Sequence, residues 1–252
     1  MITVIDGRVA GPDANLPMFA RYGHFTAMQV RDRRTRGLDL HLTRLSAATR
    51  ELYGTDLDTG LVVGSIRTAL AGLADASVRV HVLDDGDRPH VFVTARPPVD
   101  VATVPQSVKP VVYQRFLPHI KHMGGFPQAY FGRLVAAEGY DEGLLTTADG
   151  LISEGLITNL GCFDGSAVIW PDAPMLSGIT MQLMERALRA AGIPQERRPV
   201  RVADLGSCEA VFLTNSRGVV MVGRLEQDAL KLDDAFAARL LGLYEGLPWD
   251  PI

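Results

Sequence analysis

A few short stretches of this 252-residue chain hold side chains able to do chemistry. "HIKHMGGF" carries Lys121, and "DGLISEGLITNL" carries Glu154 and Asn159. "HLTRL" carries His41 and Arg44, "MLSGITMQLMERAL" carries Gly178, Ile179 and Thr180, and "AVFLTNSRG" carries Thr214, Asn215 and Ser216. Of 25 basic residues only Lys109, Lys121 and Lys231 are lysines. A chain that uses arginine wherever charge alone matters keeps lysine where an amine must lose its proton and attack a carbonyl, as in a Schiff base. Lys231, in "QDALKLDD", reads as a solvated surface charge, and Lys109, before Pro110, as extended backbone. Lys121 is the open case. Glu154 interrupts an apolar run, and a buried carboxylate needs a cationic partner. A protonated pyridine nitrogen is one such partner; a structural salt bridge would show an arginine instead. Thr180 and the N–H groups of the helix that starts there make an anion site, to which Arg44 and Ser216 can add donors. A phosphate, an aldehyde and a pyridine together describe pyridoxal 5'-phosphate. The plainer roles are a surface arginine at 44, a helix cap at Thr180, a turn residue at Ser216, a structural hydrogen bond at Asn159, and loop positions for His119 and His122.

The elements that must position these residues are legible from pattern. "MITVIDGRVA" reads as a hairpin turning at Asp6-Gly7, and "HFTAMQVRD" as a strand. "LDLHLTRLSAATRELYG" predicts a helix with Leu42, Leu45, Thr49 and Leu52 on one face and Gly54 as its stop. A second helix spans about 59–72. "VRVHVLDDGDRPHVFVTAR" predicts a hairpin turning at Asp85-Gly86, and "VKPVVYQRF" a further strand. The second half mixes short strands with helices near 127–138, 178–191 and 232–245. In the helix from 178, Ile179, Leu183, Ala187 and Ala191 share a face and Gly192 follows. The expected division is a small α+β domain over 1–113, an interdomain loop over 114–120, and a larger β-rich domain over 121–252.

Composition narrows the class. Hydrophobic residues make up 47% and the net charge is -4, so no basic stripe points to nucleic acid or to an anionic membrane. No run approaches a membrane span, and the first residues do not read as a signal peptide. Two cysteines, Cys162 and Cys208, require no disulfide framework and fit a reducing cytoplasm. Walker, GxGxxG, HExxH, paired CxxC and GxSxG motifs are absent, and the six histidines lack metal spacing.

The ordered motifs resemble the class IV aminotransferase family, the fold-type-IV pyridoxal phosphate enzymes, from about Met1 to Leu225. "GYDEGLLTTADGLISEGLITNLGCF" is similar to that family's G-x-x-E-x-x-x-x-x-x-x-G-x-x-x-E-x-x-x-x-N run, and "LSGIT" to its L-P-G-I-T-R run. The resemblance implies a two-domain α+β fold like that of D-amino-acid aminotransferase, with the cofactor between domains, and a homodimer. It implies that Lys121 bonds the cofactor and shuttles the proton, that Glu154 faces the pyridine nitrogen, and that Arg44, Ile179, Thr180 and Ser216 bind the phosphate. The implied activity is ping-pong transfer of an amino group between an amino acid or amine and a 2-keto acid. Four departures keep a 4-amino-4-deoxychorismate lyase open: Phe126 where many transaminases have tyrosine, Phe25-Thr26-Ala27 for Phe-Glu-Thr, Met181 for arginine, and Thr214-Asn215-Ser216 for Ser-Gly-Thr. A non-catalytic protein that binds the cofactor is a third reading. Arg79 and Arg115 are candidates for the substrate carboxylate.

Overall fold

Asp6 and Gly7 take φ of 44° and 82°, which is the backbone that a two-residue hairpin with right-twisted strands demands. They join β1 (Ile2–Ile5) to β2 (Arg8–Val9), as predicted. A computed structural model describes residues 2–11, 22–84 and 88–252. The predicted turn at Asp85-Gly86 lies outside the described residues. The strands it was expected to join, β5 (Ala76–Asp84) and β6 (Pro89–Arg96), do pair antiparallel.

The described chain divides into two compact units, one of Met1–Val99, Ile120–Gly124 and Pro248–Ile252, the other of Asp100–His119 and Gly125–Leu247. The first holds a five-stranded sheet in the order β2-β1-β6-β5-β3, where β3 is Gly23–Val30. A short pair, β4 (Arg34–Thr35) with the C-terminal Asp250–Pro251, completes its strands. Two helices pack on it, α1 (Leu38–Tyr53) and α2 (Thr59–Ala69). Val78, Val80 and Val82 of β5 and Met28 and Val30 of β3 face the core, alternating with exposed or half-buried neighbours as the strand period requires, except that Leu83 after Val82 is buried too. Gly54 ends α1 with φ of 66° and an N–H bonded to Arg50 O, the stop that its sequence announced. The inward face of α1 is rotated from the expected one: Leu40, His41, Leu45, Ala48 and Thr49 are buried, whereas Leu42 and Leu52 lie at its margin. A buried histidine was invisible to a pattern that counts apolar residues.

The loop of Lys121 counts with the first unit, whereas the sequence reading set residue 121 in the large domain. The cause is backbone pairing. Phe25 N donates to Lys121 O at 2.8 Å, Met123 N donates to Gly23 O at 2.9 Å, and His24 bridges His122.

The second unit is built on a nine-stranded sheet. Its strands run β7 (Gln106–Val112), β8 (Glu142–Thr146), β9 (Ile152–Gly155), β10 (Asn159–Phe163), β11 (Val168–Pro171), β12 (Gln195–Arg198), β13 (Ala210–Asn215), β14 (Gly218–Leu225) and β15 (Asp228–Ala229). The neighbour order is β12-β11-β10-β13-β14-β7-β8-β9, with β15 on β14. Three helices accompany it: α3 (Phe126–Ala137), α4 (Ile179–Ala190) and α5 (Asp234–Glu245). Their bounds match the predicted ones within two residues. In α4 the buried stripe is Ile179, Met181, Leu183, Met184 and Leu188, so Leu188 and not Ala187 carries the inward face onward. No helix among the described residues is long and apolar enough to cross a membrane.

Candidate active site

In the first unit, β3 and α1 bring Thr26, His41 and Arg44 together. Thr26 is fully buried, and its hydroxyl lies 2.6 Å from His41 Nδ1. Arg44 Nη2 donates to the same hydroxyl. Arg44 is half-buried, its Nε has no exposed surface and no hydrogen-bond partner, and no carboxylate pairs with it among the described residues. Burial alone pulls its guanidinium down to about 10. His24 is buried beside Thr49, 3.0 Å from its hydroxyl, and burial, aided by Arg44 and His81, lowers its imidazole to about 4. Lys121 is half-buried on the neighbouring loop, with Nζ 5.0 Å from the Phe25 ring centre. The other two lysines do simpler work: Lys109 pairs with Glu138, and Lys231 with Glu209 at 2.7 Å.

In the second unit, the ends of β9, β10 and β13 meet the start of α4. Glu154 is buried, and its two oxygens have different partners. Oε2 accepts from Leu176 N at 3.2 Å. Oε1 accepts from Arg115 Nη1 at 3.1 Å, and both side chains are only 6% exposed. Arg115 Nη1 also donates to Pro118 O at 2.8 Å, which fixes the loop. The arginine that a structural salt bridge would require is therefore present. Burial of Glu154 does not depend on a cofactor for its counter-charge, and Arg115 serves the carboxylate of Glu154 in this structure.

Asn159 spans the same corner. Its Nδ2 donates to Leu176 O at 2.7 Å, the structural role its residue type suggested. Its Oδ1 lies so close to Gly178 that a Cβ there would stand 2.0 Å away, so only glycine fits ahead of α4. Thr180 does not cap its helix; Oγ1 donates to Asn215 O at 2.6 Å, tying α4 to the end of β13. Ile179 is buried at the helix start and Ser216 is half-buried in the turn after β13. Thr214 Oγ1 is buried without a hydrogen-bond partner. Arg79 is exposed on β5, its guanidinium 6.0 Å from the Phe25 ring centre.

Glu142, quoted in the motif but assigned no role there, is buried on β8. It accepts from Gly143 N at 2.9 Å, and the Ile157 N–H also points to it. Burial outweighs these donors and pushes its carboxyl up to about 7. A cavity of about 90 Å³ beside it is lined by Asp141, Thr158, Asn215 and Arg217 among others. No cluster of His, Cys, Asp or Glu among the described residues could hold a metal ion.

The frame is α+β in two units, with Arg44 and Lys121 on the first and Glu154 and Thr180 on the second. The family model for class IV aminotransferases matches residues 23–225, and the chain belongs to that family, whose members are pyridoxal phosphate enzymes. Among solved structures, a hypothetical aminotransferase from Mycobacterium tuberculosis in its apo form is similar, with a TM-score of 0.85 and 22% identity, over 96% of this chain and 97% of that one. The branched-chain aminotransferase of Thermoproteus uzoniensis with norvaline gives a TM-score of 0.85 at 17% identity, over 97% and 93%. A structure described as a 4-amino-4-deoxychorismate lyase from Legionella pneumophila gives 0.79 at 17% identity, over 92% and 93%. These likenesses show the fold. No curated protein matches the sequence.

Proposed function

We propose that the protein is a pyridoxal 5'-phosphate-dependent aminotransferase that moves an amino group between an amino acid or amine and a 2-keto acid in two half-reactions. The observation that carries this reading is Arg44: an enclosed guanidinium nitrogen with no hydrogen-bond partner and no facing carboxylate among the described residues fits an anionic group such as a phosphate monoester. The orphaned Thr214 hydroxyl fits the same chemistry in the second unit. Arg44, Ile179, Thr180 and Ser216 would hold the phosphate, Glu154 the ring nitrogen, and Lys121 the aldehyde carbon. When bound, the cofactor supplies an electron-accepting ring that carries the amino group. Lys121, once neutral, is the base that moves the proton at the substrate's α-carbon. Glu154 holds a proton at the ring nitrogen, and Arg115 keeps that carboxylate oriented through Oε1. Similar structures fit a keto-acid acceptor: the Mycobacterium tuberculosis aminotransferase is also known with α-ketoglutarate and the aminated cofactor bound.

The test is Lys121→Ala. Turnover should fall by at least about a thousandfold, and the visible band of the purified protein should no longer be bleached by borohydride. Retained turnover would refute the assignment. A panel of donors in both enantiomers, each with a keto acid, then separates the second reading. That reading is a 4-amino-4-deoxychorismate lyase, and the lyase-like Phe25-Thr26-Ala27 favours it. Release of pyruvate and p-aminobenzoate without amination of an acceptor would establish the lyase; binding of cofactor with no turnover on either panel would mean a non-catalytic protein.

We also read the chain as a cytoplasmic homodimer. Phe126, Tyr130 and Leu134 recur at four-residue spacing on α3 and are 79%, 50% and 44% exposed. Such an apolar stripe suits a second copy. Sedimentation giving only the monomer mass at micromolar concentration would remove this reading.

A further inference from the structure

Thr26 and His41 are buried polar residues to which the proposed reaction gives no role, and hydrogen bonds link them to Arg44. Arginine has no acceptor, so Thr26 Oγ1 accepts from Arg44 Nη2. The hydroxyl has one proton to give, and the atom 2.6 Å away is His41 Nδ1. Donation of that proton to Nδ1 corresponds to a neutral imidazole with its hydrogen on Nε2; the other neutral tautomer would instead donate to the hydroxyl's second lone pair, and either order ties the ring to Thr26. His41 is itself fixed three residues before Arg44 on one helix, where positions i and i+3 are neighbours. Its burial and the nearby Arg44 charge both oppose protonation, in keeping with a neutral ring. The chain His41–Thr26–Arg44 thus occupies one Nη of the guanidinium and leaves Nε enclosed without a protein acceptor.

We infer that Thr26 and His41 are positioning residues that act through Arg44, orienting its guanidinium so that Nε and the remaining Nη hydrogens meet the phosphate monoester of the cofactor. The inference rests on the proposed cofactor reading and adds to it two residues with no direct contact to the ligand. It also gives the Phe-Thr-Ala departure a physical role: a hydroxyl at 26 can accept a hydrogen bond from Arg44 and make a second one with an imidazole, while leaving the arginine's charge uncompensated.

The experiment measures dissociation constants of the cofactor-stripped, full-length protein for pyridoxal 5'-phosphate and for pyridoxal, which lacks the phosphate. Thr26→Val should weaken the phosphorylated ligand about tenfold and leave pyridoxal unchanged. Thr26→Ser, which keeps the hydroxyl, should restore binding to within about twofold. His41→Gln, which keeps an acceptor on a different stem, should fall between, and it reads the same coupling if Thr26→Val does not fold. Equal weakening of both ligands, or full affinity in Thr26→Val, would overturn the positioning role. Arg44→Met separates that failure from failure of the reading beneath it. If Arg44→Met leaves the preference for the phosphorylated ligand intact, the phosphate assignment is wrong. If it abolishes the preference while Thr26→Val does not change it, only the relay is wrong.

Discussion

Glu154 in the second unit and Arg44 in the first are both drawn inward, and the two charges are settled differently. Glu154 in the second unit has a full set of protein partners: Arg115 on one oxygen, the Leu176 N–H on the other. Arg44 in the first has a neutral hydroxyl on one nitrogen and nothing on Nε. A paired charge is consistent with a finished structural element as well as with a site. A half-buried charge with one nitrogen enclosed and no carboxylate beside it among the described residues costs free energy in the free protein, a cost that the proposed phosphate would offset. The proposed cofactor reading therefore rests more on Arg44 than on Glu154, although Glu154 in its apolar surroundings draws the eye first in the sequence.

Three substitutions probe this contrast. The largest effect is expected from Arg115→Leu, which leaves Glu154 buried without its cation; stability should fall by about 3–5 kcal/mol in denaturant titration. The double change with Glu154→Gln should recover much of that loss. A fall of less than 1 kcal/mol for the single variant would mean that Glu154 is not held by this pair. Next is Glu142→Gln. A carboxyl whose native pKa lies near 7, against 4.5 ordinarily, holds its proton longer in the folded protein. Native stability should therefore decline as pH rises from about 4.5 and level off above about 7, by roughly 3 kcal/mol from this group. Glu142→Gln should flatten the decline; an unchanged pH profile would show that Glu142 ionises freely in the fold. The smallest effect is expected from Arg44→Met without ligand, within about 1 kcal/mol of the parent, because no ion pair is lost. A loss as large as that of Arg115→Leu would erase the difference between the two charges.

Much of the frame was legible from the sequence because it is local. Asp6-Gly7 can form only a narrow range of turns, and Gly54 and Gly192 sit where helices end in the left-handed region, at φ of 66° and 69°. Lys121, Glu154 and Thr180 stood out by residue type against their surroundings. What escaped depends on contacts between distant segments. Nothing in "VVYQRFLPHI" says that Arg115 meets a carboxylate 39 residues later. On α1 Leu45 and Thr49 are buried as the apolar pattern requires, but His41 is polar by type and its hydrogen-bond partner Thr26 lies 15 residues earlier on a strand. The role of Asn159 depends on Leu176 and Gly178, which no period connects to it. Signals of that kind require the fold first.

The pairing of residues 121–123 along β3 has a consequence for how the first unit can exist. β3 is the last strand of its sheet, and the Lys121 loop takes up the N–H of Phe25 and the carbonyl of Gly23 that would otherwise face solvent. The segment that bears the amine is thus also the seal on a bare strand edge. A fragment stopping at Val99 would lose both at once, and its open border would invite other chains to line up along it.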